Sequence, residues 1–162
     1  MIKKPTKEMI DFYEQRTAKH INRVKENCIT LSNYFNNPDL SRRGYVHDLS
    51  KYSEAEYIPY VWMTWYYKMK DKGFEYPKGV ENAVSKAWDH HKSMNDHHPE
   101  YWNNVQEMSD NSLFEMCCDI TAMSQEFGDD PVKYFNNNHK ERFNFSQNQL
   151  NKIYNGFEIL NK

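Results

Sequence analysis

The chain has 162 residues, which is enough for one well-buried core and too few for two independent cores. Its formal net charge of -2 gives no overall positive field, so nucleic acid is not the expected partner. The 3 cysteines lack a C-x-x-C spacing and a disulfide framework, and they are expected to be reduced, buried thiols of a cytoplasmic protein.

The first predicted helix runs from Thr6 to about Tyr34. The segment before it has two lysines but no apolar run, so no secretory signal is expected. Within the helix, steps of three and four residues define an inward face: Ile10, Tyr13, Thr17, His20, Val24, Cys28, Leu31 and Phe35. His20 therefore points inward. A single histidine on such a face is more often a hydrogen-bonded core residue than a ligand, so a metal role for His20 depends on partners from other helices.

A short second helix, from Leu40 to about His47, ends at the adjacent pair His47-Asp48. An imidazole and a carboxylate at a helix end project in different directions. Together they can bind one ion, or the carboxylate can bridge two, if other helices complete the ligand shell. Lys51 follows the pair and can neutralise a substrate phosphate or carry solvated surface charge. Three further cations, Arg42, Arg43 and Lys92, either do the same or carry solvated surface charge.

The third helix is expected to start near Ile58 and to end before Gly73, because Pro59 suits a first helical turn. Its apolar block is interrupted by this proline and is far too short to span a membrane.

The fourth helix, from about Gly79 to Met94, has Val80, Val84, Ala87 and Trp88 on its predicted buried side. One more turn along that face reaches His91, whereas His90 points about 100° away from it. The helix ends before Pro99, which leaves His97 and His98 on a turn that can direct either ring inward. His98, seven residues after His91, is the favoured one of the two.

The fifth helix, from about Ser112 to Phe127, has a predicted core stripe of Leu113, Met116, Ile120, Met123 and Phe127, and Gly128 is predicted to end it. Glu115 and Asp119 lie beside that stripe, one turn apart. Asp119 can be a ligand, or it can bind a lysine or a helix N-terminus. Asp130-Pro131 predicts a short sixth helix, and the spacing Ser146-x-x-Gln149 predicts a capped last helix.

No stretch alternates in the manner of a half-buried strand, so the chain is predicted to be all-α. The histidine and carboxylate positions on these helices, His20, His47-Asp48 and Asp119, resemble the motif of the HD-domain superfamily of metal-dependent phosphohydrolases. The resemblance covers about residues 15 to 125. It implies a single HD-type helical bundle over residues 1–162, of about six to seven helices, with helices of residues 130–162 packing on the motif-bearing core.

The segment that contains His90-His91 and Asn95-x-His97-His98-Pro99-Glu100 is also similar to an uncharacterised family of short HD-like proteins from phage and bacterial genomes. Some HD families add histidines in this interval and hold two metals. The chain lacks the Gly-Tyr-Pro signature of cyclic-dinucleotide HD hydrolases and is shorter than the large triphosphohydrolases. The resemblance therefore leaves the substrate open.

The resemblance implies primary metal ligands at His20, His47, Asp48 and Asp119. His91 and one of His97 and His98, with His98 preferred, are expected to complete a second metal position or to hold a substrate phosphate. Mixed nitrogen and oxygen ligands without thiolate favour one or two divalent ions of Mn, Fe, Co, Ni or Zn. The predicted catalytic residues are Asp48, Lys51 and Glu56. Three acidic residues are candidates to orient water or a ligand imidazole: Glu54, Glu56 and Glu115.

These residues predict a metal-dependent phosphohydrolase that acts on a small phosphorylated metabolite, with a nucleotide or deoxynucleotide favoured. The expected substrate is then a mononucleotide, and neither a nucleic acid polymer nor a membrane is expected as a partner. The sequence does not decide between a monomer and a homodimer. Two alternatives come from different functional classes. One is a di-iron oxidase or oxygenase of the HD type, for which the extra histidines are suited. The other is an HD fold that binds a ligand or partner without turnover.

Overall fold

The computed structural model describes residues 2–162, which are helical and contain no strand. Seven α-helices lie in this described range: α1 (Lys7–Phe35), α2 (Pro38–Val46), α3 (Tyr57–Met69), α4 (Val80–Met94), α5 (Asp110–Phe127), α6 (Pro131–Phe135) and α7 (Gln147–Leu160). Shorter helical turns span Leu49–Tyr52, Lys70–Lys72, Pro99–Tyr101, Val105–Glu107 and Asn136–Lys140, the last of them π-helical. The all-α prediction is confirmed. Among the residues described, no helix combines the length and apolar character that crossing a membrane requires.

Local capping signals explain where several helices begin and end. Ser146 and Gln149 form the reciprocal capping box that their spacing predicts, at the start of α7. Asp130 accepts hydrogen bonds from the backbone of the first turn of α6. Gly128 ends α5 with a φ of 72°, a left-handed conformation that glycine adopts without strain. Helix α5 starts two residues before the predicted Ser112, because the Ser109 side chain caps it.

The contacts divide the chain into two units, and the prediction of a single domain stays a prediction. The first unit comprises the residues up to Lys19 and Asp48–Asn95, and the second comprises His20–His47 and Asp96–Lys162. Helix α1 therefore contributes its N-terminal part to the first unit and the rest to the second.

The first unit has a core between α3, α4 and the start of α1. Its buried apolar residues are Met9, Tyr13, Tyr60, Val61, Trp62, Val80 and Ala87. The Tyr13 hydroxyl donates to the carbonyl of Lys51 at 3.0 Å, which anchors the turn Leu49–Tyr52 on α1. The predicted burial of Trp88 is wrong, since this side chain is 42% exposed. It lies at the edge of the α4 face, where it stacks on the His91 ring with centroids 6.0 Å apart.

The second unit is built around α5, which packs against α2, α6 and α7. Helix α5 is buried without interruption from Ser112 to Cys118, so its buried surface is wider than the predicted stripe. The three cysteines are buried and reduced, as expected. Phe127 was expected in the core stripe, but it is 58% exposed. It is the last residue of α5 before Gly128, and the helix end there is not covered by the core.

Helices α1 and α2 approach each other closely at Gly44, three residues before His47. A Cβ atom at this position would lie 2.8 Å from the Cβ of Cys28 and 3.1 Å from the Cα of Lys25. Both neighbouring atoms belong to the rigid part of α1, so neither can move aside without moving the helix. The missing side chain of Gly44 therefore sets the position of the helix that presents His47.

Replacement of Gly44 by alanine is expected to lower the free energy of unfolding by about 1–3 kcal/mol, because the added methyl group overpacks this contact. Urea unfolding followed by circular dichroism measures the change. Gly156 in α7 provides a matched control, since a Cβ there meets its nearest atoms at 3.4 Å. Gly156→Ala should be neutral or stabilising by up to about 1 kcal/mol through helix propensity. Equal stability of the two variants would contradict the close approach at Gly44.

Candidate metal centre

Three imidazoles of the second unit face one carboxylate. His20 Nε2 lies 3.1 Å from Asp119 Oδ1, and His47 Nε2 lies 3.8 Å from the same oxygen. His97 Nε2 lies 3.7 Å from Asp119 Oδ2. The three histidines are buried, and the Asp119 side chain is 19% exposed. The ligand atoms of His20, His47 and Asp119 lie close enough together to hold a metal ion, and His97 faces the same carboxylate. We call these four residues the Asp119 group.

Each member of the Asp119 group comes from a different part of the chain. His20 lies on the inward face of α1, and His47 is the residue that ends α2. His97 follows α4 on the turn before Pro99, and Asp119 lies on α5. The group thus depends on tertiary packing, because no two of its members are close in sequence.

Glu115 determines which nitrogen of two imidazoles carries the hydrogen. Its Oε1 atom lies 2.8 Å from His47 Nδ1 and 3.2 Å from His97 Nδ1. An ionised carboxylate can only accept, so both Nδ1 atoms donate to it and both Nε2 atoms keep a lone pair. Those Nε2 atoms are the ones that face Asp119. A carboxylate that holds the far nitrogen of a histidine in this way is a regular companion of metal-binding histidines.

Glu115 is ionised in this arrangement although it is only 4% exposed. Burial raises the pKa of its carboxyl group, but the hydrogen bonds from His47 and His97 lower it by more, so the net pKa lies well below the usual range. Its second oxygen, Oε2, accepts from Arg43 Nε at 2.6 Å. Both oxygens of this buried carboxylate are therefore satisfied.

The first unit contains a similar arrangement around His91. His91 Nε2 lies 3.3 Å from Asp48 Oδ1, and His91 Nδ1 lies 2.8 Å from Glu56 Oε2. Lys51 Nζ binds the other oxygen of Asp48 at 2.6 Å. We call Asp48, Lys51, Glu56 and His91 the Asp48 group. As in the second unit, a buried glutamate binds Nδ1 and an aspartate faces Nε2.

The charges within the Asp48 group are balanced by close contacts. Glu56 has no exposed surface, and its other oxygen binds His90 Nδ1 at 2.7 Å. Burial lowers the pKa of His91, but its hydrogen bonds to Asp48 and Glu56 raise it overall. Burial raises the pKa of Glu56, but the hydrogen bonds from His91 and His90 lower it overall. The group therefore favours an imidazolium between two carboxylates.

The backbone at Asp48 is strained. Its φ is 57°, a left-handed conformation that non-glycine residues rarely adopt and that costs about 1–3 kcal/mol. The conformation lies between α2 and the turn Leu49–Tyr52, and it turns the Asp48 carboxylate toward Lys51 and His91. Strain of this kind is concentrated at functional sites, which supports a functional role for Asp48.

The structure brings three of the predicted primary ligands together, namely His20, His47 and Asp119. Asp48 is the residue after His47, but it belongs to the first unit and contacts His91 there. Of the pair in α4, His91 is the inward residue as predicted, with its side chain 1% exposed against 36% for His90.

On the turn after α4, the ring nitrogens of His97 face Glu115 and Asp119. The ring of the preferred candidate, His98, packs on that of His97 with centroids 4.3 Å apart. A ligand role for His98 stays a prediction. No sequence signal distinguishes two adjacent histidines on a turn, because a turn lacks the fixed angular step of a helix.

Glu115 and Glu56 were both candidates to orient a ligand imidazole, and both bind histidine Nδ1 atoms. Arg43 was expected at the surface or on a phosphate. Its side chain is instead 25% exposed and binds Glu115 and Asp96. Lys51, expected on a phosphate or at the surface, is paired with Asp48. Charged residue types alone do not reveal such pairings, because their partners lie far away in the sequence.

Residues 9–159 match the model of a family described as a family of unknown function, DUF5662. No curated protein and no solved structure matches the chain. The matched range includes every residue of the Asp119 and Asp48 groups. It carries no description of an activity, so the chemistry of these residues is the basis for a functional assignment.

Proposed function

Because the chain belongs to DUF5662, a family of unknown function, we propose its activity from its own residues: it is a metal-dependent phosphohydrolase that acts on a small phosphorylated metabolite. The observation that carries this proposal is the convergence of three Nε2 atoms on the Asp119 carboxylate, at 3.1 to 3.8 Å. The order of His20, His47-Asp48 and Asp119 along the chain, which resembles the HD superfamily, supports it.

The donor set of the Asp119 group defines the kind of ion. Three imidazole nitrogens and a carboxylate, with no thiolate, suit Mn, Fe, Co, Ni or Zn better than Ca. When bound, such an ion lowers the pKa of a coordinated water and polarises a phosphoryl oxygen, which are the two requirements of phosphoester hydrolysis. Glu115 keeps the imidazoles of His47 and His97 in the tautomer that such an ion needs.

The Asp48 group, which lies within the first unit, can by itself hold a proton and balance charge. His91 lies between Asp48 and Glu56 and can hold or release a proton at Nε2. Glu56 orients this imidazole through Nδ1, which is the positioning role that suits a fully buried carboxylate. Lys51 carries a positive charge on a side chain that is 18% exposed, and an ammonium group of this kind can compensate a phosphate.

The proposed substrate is small, with a mononucleotide favoured. A chain with a formal net charge of -2 lacks the extended positive surface that binding to a nucleic acid polymer requires. A mononucleotide needs only one phosphate position and one surface for its base.

Phosphate release from nucleoside monophosphates and from p-nitrophenyl phosphate is expected to depend on added Mn, Co, Ni, Fe or Zn. The dependence is expected because an ion held by His20, His47 and Asp119 would polarise the phosphoryl group. A colorimetric phosphate assay, preceded by metal analysis of the purified protein, measures it. A chelator should abolish release and an excess of the ion should restore it, while DNA and RNA should be cleaved little. Oxygen consumption without phosphate release, or strong cleavage of a polymer, would contradict the proposal.

A further inference from the structure

We propose that Arg43 is a positioning residue of the metal centre: through Glu115 and Asp96 it keeps His47 and His97 in the orientation and tautomer that present Nε2 to Asp119. The expected effect of Arg43 on metal affinity rests on the metal centre proposed above. Its effect on the two imidazoles can be observed in the metal-free protein.

Arg43 binds two carboxylates with different parts of one guanidinium group. Its Nε donates to Glu115 Oε2 at 2.6 Å. Its terminal nitrogens donate to the two oxygens of Asp96, with Nη1 at 3.3 Å from Oδ2 and Nη2 in a closer contact with Oδ1. Nη2 also lies 3.4 Å from the hydroxyl of Ser112 on α5. All three nitrogens of the Arg43 guanidinium group therefore have partners within the second unit.

The two oxygens of Glu115 have separate roles. Oε2 is held by Arg43, and Oε1 accepts from His47 Nδ1 and His97 Nδ1. With Arg43 in place, the carboxylate cannot rotate without breaking a short charge-assisted hydrogen bond. Without Arg43, Oε2 loses its cation and the plane of the carboxylate is no longer set. The two Nδ1–H groups then lose a fixed acceptor.

The contact with Asp96 holds the second imidazole in another way. Asp96 directly precedes His97 on the turn after α4, and its carbonyl accepts from Trp102 Nε1 at 2.8 Å. Arg43 and Trp102 thus hold the side chain and the backbone of the residue before His97. One arginine on α2 therefore positions His47 through Glu115, and His97 through both Glu115 and Asp96.

The arrangement requires arginine rather than any cation. A guanidinium group is planar and presents its N–H donors along two edges, so it can bind two carboxylates at a fixed angle. A lysine ammonium at the same position is a point charge, and it can hold only one of these carboxylates in a defined geometry. The neighbouring Arg42 is a natural contrast, since it is 77% exposed and pairs with Asp39 on the same helix.

Arg43→Met is the decisive variant, Arg43→Lys the conservative one, and Arg42→Met the matched control. Long-range ¹H–¹⁵N NMR of the histidine rings in the metal-free protein reports which nitrogen carries the hydrogen. The wild type and Arg42→Met should show His47 and His97 with hydrogen on Nδ1. Arg43→Met should show mixed tautomers at both rings. Asp96→Asn should change the His97 signals and leave those of His47 as they are.

Metal affinity provides the second readout, by titration with Co²⁺ followed by visible absorption. Loss of a residue that orients ligand histidines raises the dissociation constant about tenfold to a hundredfold, and this is the expectation for Arg43→Met. Arg43→Lys should fall between the wild type and Arg43→Met, and Arg42→Met should match the wild type.

Unchanged tautomers together with a dissociation constant within about twofold of the wild type in Arg43→Met would overturn the proposal. If Arg43→Met does not fold, the same NMR signals are measured in Arg43→Lys and Asp96→Asn. Unchanged His97 signals in both variants would overturn the proposal. A wild type that binds no Co²⁺ would refute the metal centre, whereas the NMR comparison would still decide the role of Arg43.

Discussion

Replacement of Asp119 by alanine is expected to remove the bound metal and to reduce phosphate release by about a thousandfold or more, because several kcal/mol of metal-derived stabilisation of the transition state is lost. Asp119 is the carboxylate that three imidazole Nε2 atoms face, so its removal leaves the Asp119 group without an anionic ligand. Elemental analysis of the purified variant and the phosphate assay measure the two effects.

The fold should survive this change. The Asp119 side chain is 19% exposed and alanine is a strong helix former, so α5 should keep its structure. Asp129→Ala is the control, since Asp129 lies just beyond α5 and is exposed. It should retain both metal and activity. A folded Asp119→Ala protein with the full wild-type metal content would show that the ion is bound elsewhere.

Replacement of Glu56 by glutamine is expected to lower the free energy of unfolding by about 3 kcal/mol, because it removes a fully buried carboxylate while leaving its partner His91 buried. Glu56 accepts from His90 Nδ1 at 2.7 Å, from His91 Nδ1 at 2.8 Å and from Ser50 at 3.1 Å. A glutamine has one carbonyl oxygen, and its amide nitrogen would face a second donor. Urea unfolding at pH 7 measures the loss.

The pH dependence of this loss follows from the pKa of Glu56. Burial raises that pKa, but hydrogen bonds from His91 and His90 bring it below the ordinary value of 4.5. The carboxylate therefore stabilises the fold fully above pH 4.5, and this contribution is lost as the pH falls through the lower pKa of the folded state. On the acid side, the difference in the free energy of unfolding between the wild type and Glu56→Gln should narrow below pH 4.5.

Glu54→Gln is the matched control for this variant, since Glu54 is exposed two residues before Glu56. Its free energy of unfolding should stay within about 0.5 kcal/mol of the wild type. A loss below about 1 kcal/mol in Glu56→Gln would mean that the histidines find other acceptors and that Glu56 does not hold His91 in place.

The helices and their ends could be predicted from the sequence because they depend on neighbours in the chain. The capping box of α7 joins Ser146 to a residue three positions later, and Gly128 ends α5 through its own backbone conformation. The inward direction of His20 and His91 followed from helical periodicity, since the angular step between residues is fixed in a helix. Periodicity also predicted an apolar face on α4 that includes Trp88 and one on α5 that includes Phe127. It could not show that each of these two residues lies where its face is uncovered.

The contacts that surround the motif residues of the candidate site depend on the tertiary structure alone. Glu115 lies 68 residues from His47 and 72 residues from Arg43, and Arg43 lies 53 residues from Asp96. No local pattern connects positions so far apart, because a hydrogen bond between them forms only after α2, α5 and the turn after α4 have packed. The position of the His97 ring beside Asp119, and the contacts of Arg43 with Glu115 and Asp96, both result from that packing.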